Sequence, residues 1–303
     1  MTTNDGEGQP REKLTAPGIT ARKGGRKLTM VSTYDYPFAR LAEQAGIEII
    51  LVGDSLGMVV LGHPSTVPVT LDDVLYHSRA VVRGAPATHI VGDLPFLTYQ
   101  LDDRQAIANA GRLVQEGGVD AVKLEGGRTV AARIRAIVDA GIPVMGHVGM
   151  TPQSAGAQGG FRVQGRDLAE ARAIVADAEA VVAAGAYAVV IEAVPMALAA
   201  LITERIAVPT IGIGAGPSCD GQVLVGHDLV GLEERITARF AKRYAEVGAA
   251  IRDAFAAYAG EVRDGAFPTA EHSYTMRPEV AAALREELAG STGELADRPG
   301  SGR

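Results

Sequence analysis

Ile49-Ile50-Leu51-Val52-Gly53-Asp54 is the first of five strand-like apolar runs that each close on a polar residue. The others are Ile90-Val91-Gly92-Asp93, Ala121-Val122-Lys123-Leu124-Glu125, Ile142-Pro143-Val144-Met145-Gly146-His147 and Ala188-Val189-Val190-Ile191-Glu192. Helix-length segments separate them, so the strands are expected to run parallel. One such ending means little. Five in succession point to a common rim, and in a (β/α)8 barrel the active site sits on that rim, at the C-terminal ends of the strands.

The chain around these runs keeps the same alternation. A first strand is expected near Lys27–Thr33, followed by a helix over Phe38–Ala45 that Gly46 closes as a C-cap. Thr70 and Asp73 form an N-cap and N3 pair opening a helix that reaches about Val82. Further helices are expected near Arg104–Gln115, Val130–Ala140, Leu168–Ala184 and Met196–Glu204. The Gly/Gln-rich stretch Met150–Gly165 reads as a lid or binding loop. Val208–Gly214 supplies a seventh strand, Val223–Leu229 a weaker eighth, and Glu233 to about Val262 a long helix. Eight βα units with short links fit an α/β, (β/α)8 TIM barrel with a C-terminal helical extension better than a doubly wound sheet. The expected organisation is a disordered tail over 1–15, the barrel with its C-terminal helices over 16–275, and a helix with a disordered tail over 276–303.

The 303 residues are 47% hydrophobic, ordinary for a globular protein. No apolar run approaches the ~20 residues that span a bilayer. The start of the chain lacks the apolar core of a signal peptide. With a single cysteine, Cys219, an internal disulfide is excluded, and the expected location is cytoplasmic. Net charge is −7 and aromatics are 5%, without a basic block. A nucleic-acid partner would call for a basic footprint with stacking aromatics, and a membrane surface for a Lys/Arg-rich amphipathic anchor. Neither partner is expected.

Asp54, Asp93 and Glu125 are three carboxylates at the ends of neighbouring strands. Hard oxygen ligands of this kind suit Mg2+, although any one of them alone also reads as a helix cap or a lysine partner. Lys123 lies two residues before Glu125, so the strand period puts both on one face. A lysine inside a barrel is costly unless paired. It reads equally as a contact to an anionic substrate or as an internal salt bridge. His147 reads as a satisfied polar residue or an accessory to the chemistry. Glu192, after an apolar strand, reads as a general base or a helix-start carboxylate. Gly212-Ile213-Gly214-Ala215-Gly216 follows a strand but matches neither a dinucleotide fingerprint nor a P-loop. It is either a tight turn or a close approach to a ligand.

Tyr34-Asp35-Tyr36, Val52–Met58 (VGDSLGM), Gly92–Phe96 (GDLPF), Val122–Gly127 (VKLEGG), Gly146–Gln153 (GHVGMTPQ), Ile211–Gly216 (IGIGAG) and Asp220–Val225 (DGQVLV) occur in this order. Together they closely resemble the ketopantoate hydroxymethyltransferase family, over about residues 20–275. The resemblance implies a barrel of the phosphoenolpyruvate/pyruvate class and a homo-oligomer, a decamer. It implies Mg2+ bound through Asp54, Asp93 and Glu125, and a 2-oxo acid held by Asp54, Ser55, Asp93 and Lys123. Glu192 would accept the proton, and His147 would be an accessory. The implied reaction moves a hydroxymethyl group from 5,10-methylenetetrahydrofolate to 3-methyl-2-oxobutanoate through a Mg-stabilised enolate, giving 2-dehydropantoate for pantothenate synthesis. Two rivals stand beside it. One is a lyase or mutase of the same barrel class, against which the lack of any cysteine but Cys219 weighs. The other is a metabolite-binding barrel without catalysis, which has no need of a base.

Overall fold

A computed structural model describes residues 12–233 and 238–295. Chain contacts divide the protein into two compact units, Met1–Gly248 and Ala249–Arg303. In the first unit the elements run α1 (Ala16–Thr20), β1 (Leu28–Ser32), α2 (Tyr36–Gln44), β2 (Ile49–Val52), α3 (Leu56–Val59), α4 (Leu71–Gly84) and β3 (His89–Asp93). They continue with α5 (Asp103–Gln115), β4 (Ala121–Glu125), α6 (Ala131–Asp139), β5 (Val144–Gly149), α7 (Leu168–Ala183) and β6 (Ala188–Glu192). Next come α8 (Met196–Arg205), β7 (Thr210–Ile213), β8 (Gly221–Val225) and α9 (Gly226–Leu229). α10 (Val247–Arg263) leads into the second unit, which also holds α11 (Pro278–Leu295).

The eight strands close in sequence order into a barrel, and β1 pairs β8 in parallel to seal it. Strand period two sorts the side chains. Met30, Ile49, Leu51, Val91, Ala121, Met145, Ala188, Val190, Ile211 and Val223 fill the barrel interior. Ile50, Ile90, Val122, Leu124, Val144, Val189 and Ile191 point outward and pack with helix residues such as Val74, Leu113, Ile134, Val181 and Ile202. Each buried aliphatic side chain of this kind contributes about 1.5–3 kcal/mol of transfer free energy. Local signals set the helix starts. Thr70 and Asp73 form a complete capping box for α4, and Asp102 and Asp167 cap α5 and α7 through their carboxylates.

The far end of the barrel, opposite the rim, is closed by α1. Thr15 caps this helix, Pro17 lies in its first turn, and Ile19 and Ala16 pack with the interior residues. Residues 12–15, inside the stretch whose composition suggests a disordered tail, are placed here: Lys13 pairs with Asp120 at 2.6 Å. His89 lies at the same end, its Nδ1 3.0 Å from the Leu14 carbonyl and its Nε2 3.0 Å from the Tyr187 hydroxyl. The remainder of the expected N-terminal tail, and the chain from residue 296, lie outside the described residues.

Two expected elements differ. The eighth strand is Gly221–Val225, and the residues after it turn into α9 rather than extending the strand to Leu229. The long helix expected from Glu233 begins at Val247. Before that point the backbone bonds elsewhere: Tyr244 N–H donates to the Leu229 carbonyl, and Val247 and Gly248 N–H donate to Val230 and Gly231. Residues 234–237 of that expected helix lie outside the described residues. Among the described residues, no helix is long and apolar enough to cross a membrane.

Candidate active site

The rim gathers every carboxylate, hydroxyl, lysine and histidine that the sequence offers for the chemistry. Asp54, Ser55, Asp93, Lys123, Glu125, His147 and Glu192 all line one cavity of about 150 Å³ at the C-terminal ends of the strands. Asp93, Glu125 and Glu192 close β3, β4 and β6. Asp54 lies two residues beyond the end of β2, and His147 two residues before the end of β5. Strand register pairs Asp93 with Lys123, Glu125 with His147 and Gly149 with Glu192, so the three pairs fall on consecutive strands around the rim.

Asp54, Asp93 and Glu125 are buried, and each offers an oxygen within 4.8 Å of the others. Lys123 Nζ sits 2.9 Å from Asp93 Oδ1, 3.8 Å from Glu125 Oε1 and 3.5 Å from His147 Nδ1. The sequence left open whether this lysine meets a partner or a ligand. The structure gives it a salt bridge on a wall of the cavity. His147 stands between two carboxylates, with Nδ1 3.6 Å from Glu125 Oε1 and Nε2 3.3 Å from Glu192 Oε2. Ser55 Oγ is 2.8 Å from the Tyr34 hydroxyl.

Protonation follows from burial and crowding. Burial pushes the Asp54 carboxyl well above the usual range, and the nearby charges of Asp93 and Glu125 push it further. Burial likewise raises Asp93, against the opposing pull of Lys123. For Glu125 burial acts upward too, but the neighbouring His147 and the Lys123 charge outweigh it and hold this carboxyl below its usual value. Burial and Lys123 act to lower His147, yet the adjacent carboxylates of Glu125 and Glu192 prevail and raise it to about 9. Carboxylates that repel one another in a dry pocket form a site that a divalent cation relieves, and oxygen donors are the ligands Mg2+ takes. The donor set fits that ion.

Two further residues complete the site without a signal in the strand pattern. Gln153, on a 3-10 turn over Pro152–Ser154 after β5, donates from Nε2 to Asp54 Oδ2 at 3.0 Å and from its backbone N–H to Glu125 Oε2 at 3.0 Å. Tyr99 donates to Gln153 Oε1 at 2.7 Å. Both lie in loops, where no periodicity marks a residue as facing inward. Beside the first cavity, Ser55 and Glu192 also line a second one of about 520 Å³, walled by Met58, Phe161, Arg162 and Phe240. Cys219 is buried against Gly212, away from both cavities.

The model of the ketopantoate hydroxymethyltransferase family matches residues 13–270. A 3-methyl-2-oxobutanoate hydroxymethyltransferase of Moorella thermoacetica is 58% identical over 265 residues, covering 87% of this chain and 98% of the relative. One from Heliobacterium modesticaldum is 54% identical over 270 residues, covering 89% and 98%. Among solved structures, a phosphonopyruvate hydrolase matches with a TM-score of 0.58 at 16% identity, covering 92% of this chain and 97% of that one. A 2,3-dimethylmalate lyase of the PEP mutase/isocitrate lyase superfamily matches with 0.55 at 16% identity, covering 94% and 98%. At such identities these structures establish the shared barrel fold.

Proposed function

The chain belongs to the ketopantoate hydroxymethyltransferase family, and from that premise we propose a mechanism for its reaction in the cavity at the barrel rim. The protein is a 3-methyl-2-oxobutanoate hydroxymethyltransferase of pantothenate biosynthesis. Its one-carbon donor is 5,10-methylenetetrahydrofolate and its product 2-dehydropantoate. The observation that carries the mechanism is the meeting of a partly exposed carboxylate, Glu192, with the buried Asp54, Asp93 and Glu125 in one cavity.

Asp54, Asp93 and Glu125 would hold Mg2+, which would supply Lewis-acid stabilisation of the negative charge that develops on the 2-oxo acid. Lys123 adds fixed positive charge beside the keto oxygen, and Ser55 donates a hydrogen bond to the substrate, with Tyr34 orienting its hydroxyl. Glu192 accepts the proton from C3. The electron pair released there forms the new bond to the methylene carbon of the folate, both carbon–nitrogen bonds of that carbon break, the two nitrogens take up the C3 proton and one proton of water to leave tetrahydrofolate, and the water oxygen becomes the hydroxyl. The charge of a protonated His147, whose Nε2 lies 3.3 Å from Glu192 Oε2, holds that carboxylate toward the substrate. The second cavity opens on Ser55 and Glu192 and has the apolar walls a pteridine ring needs. We place the enzyme in the cytoplasm as a homodecamer. A stripe of exposed apolar residues on α10, Ile251, Phe255, Tyr258 and Val262, supports association.

The test is an NMR assay of purified protein with 3-methyl-2-oxobutanoate, 5,10-methylenetetrahydrofolate and Mg2+. A new hydroxymethyl signal is expected, lost on adding EDTA and restored by excess Mg2+. Full turnover in metal-free buffer would rule out the carboxylate–metal reading.

A further inference from the structure

Gln153 is buried and makes contacts that fix both ends of its amide. Nε2 faces two acceptors, Asp54 Oδ2 at 3.0 Å and the Leu94 carbonyl at 2.9 Å. Oε1 faces the Tyr99 hydroxyl at 2.7 Å. Exchanging amide oxygen and nitrogen would set an oxygen against two acceptors, so the orientation is determined by its partners. Tyr99 is held in turn by Glu125: its hydroxyl lies 2.9 Å from the Glu125 carbonyl and 3.2 Å from the Glu125 N–H.

Gln153 therefore ties one oxygen of Asp54 through its side chain and one oxygen of Glu125 through its backbone. These carboxylates come from β2 and β4, on either side of β3 and its Asp93. Gln153 also stands at the root of the loop after β5. Thr151 and Gln158 exchange hydrogen bonds at 3.2 and 3.1 Å, and the Gly160 N–H reaches back to the Ala155 carbonyl at 2.7 Å. Phe161, Arg162 and Val163, farther along the same loop, wall the second cavity. A change in the placement of Asp54 or Glu125 is passed directly to the start of that loop.

We propose that Gln153 is a positioning residue that holds Asp54 and Glu125 for a divalent cation and couples their occupancy to the loop walling the second cavity. The proposal rests on reading Asp54, Asp93 and Glu125 as the cation's ligands. Groups that orient ligating carboxylates typically change metal affinity about 10–100-fold when removed. Gln153→Met keeps the volume and removes both donor and acceptor of the side chain. Tyr99→Phe removes only the hydroxyl that fixes the amide.

Mn2+ affinity is measured by electron paramagnetic resonance of the free ion, and amide exchange over residues 154–163 is followed with and without Mn2+. Gln153→Met is expected to weaken Mn2+ binding by at least about tenfold, and Tyr99→Phe by less but in the same direction. Mn2+ is expected to slow exchange in the loop of the wild type and to leave it unchanged in Gln153→Met. A folded Gln153→Met protein binding Mn2+ within about twofold of wild type overturns the proposal, as a purely structural role would lower Tm alone. Should Gln153→Met fail to fold, the same threshold applied to Tyr99→Phe decides. Asp93→Asn separates the two layers: if it binds Mn2+ as the wild type does, the ligand assignment itself falls, and the proposal with it.

Discussion

Glu192 shows how one residue acquires a role from its surroundings. Its backbone belongs to a buried strand, while its side chain reaches the cavity and meets His147 at 3.3 Å. Replacement by Gln keeps the shape and removes the proposed base. Glu192→Gln is expected to lower turnover 10²–10⁴-fold while keto-acid binding stays within a few-fold, as is typical when a general base is removed. Deuterium exchange at C3 of the keto acid, followed by NMR, reads the proton step by itself. A variant keeping more than about a tenth of wild-type turnover would remove Glu192 from the role. At this scale the sequence was legible wherever a strand carried the residue. Lys123 and Glu125 share a face because they stand two positions apart on one strand, with only Leu124 between them, and that face proved to be the interior. Gln153, Tyr99 and Tyr34 lie outside the strands, where no period marks the inward direction.

Among the elements, β5 and β6 set the position of Glu192, the proposed base. Gly149 ends β5 opposite Glu192, with φ +96°. A Cβ there would lie 2.4 Å from the Glu192 carbonyl oxygen and 2.9 Å from a Val194 methyl. The backbone conformation and the space both demand glycine. Gly149→Ala is expected to cost about 1–3 kcal/mol in thermal or denaturant unfolding, from overpacking and strain. It should also lower kcat by more than about tenfold, because a displacement near 1 Å at a reacting group can cost 10²-fold. A kcat within about twofold of wild type would show that β6 absorbs the added methyl without moving Glu192. Element boundaries were less legible than element types. The stretch up to Val247 has the composition of a helix, but the Leu229 carbonyl takes the Tyr244 N–H and the Val230 and Gly231 carbonyls take those of Val247 and Gly248, so tertiary hydrogen bonds override local propensity where the helix would continue. α1 escaped notice because five residues carry no periodic pattern.

For the whole barrel, the two ends have different chemistry. The rim is charged, and the opposite end is sealed by α1 and by His89. The Leu14 carbonyl can only accept, so Nδ1 carries the proton and Nε2 accepts from Tyr187. Burial lowers the His89 pKa, with Asp120 opposing and Lys13 reinforcing that shift. A folded-state pKa below the unfolded ~6.5 means that the neutral ring stabilises the protein fully above that pH. This contribution is lost as pH falls from there through the depressed folded value. Tm is therefore expected to drop between pH 7.5 and 5, and the drop should be shallower in His89→Gln, even though that variant starts lower. Parallel Tm profiles for the two proteins would assign the acid sensitivity to other groups. The order of eight parallel strands was readable from alternation alone, since apolar runs and helical segments repeat with short links. The closure of the far end was not, since it depends on a short segment reaching across to strands distant in sequence.

Cys219, buried beside Gly212, has a bearing on how the moving parts of this enzyme can be watched. Burial raises its thiol pKa, which further suppresses the reactive thiolate. The native chain is thus nearly silent to maleimides and other thiol reagents. In Arg162→Cys the new exposed thiol would be the main site that takes a fluorophore, and its emission would report what the wall of the second cavity meets as ligands are added.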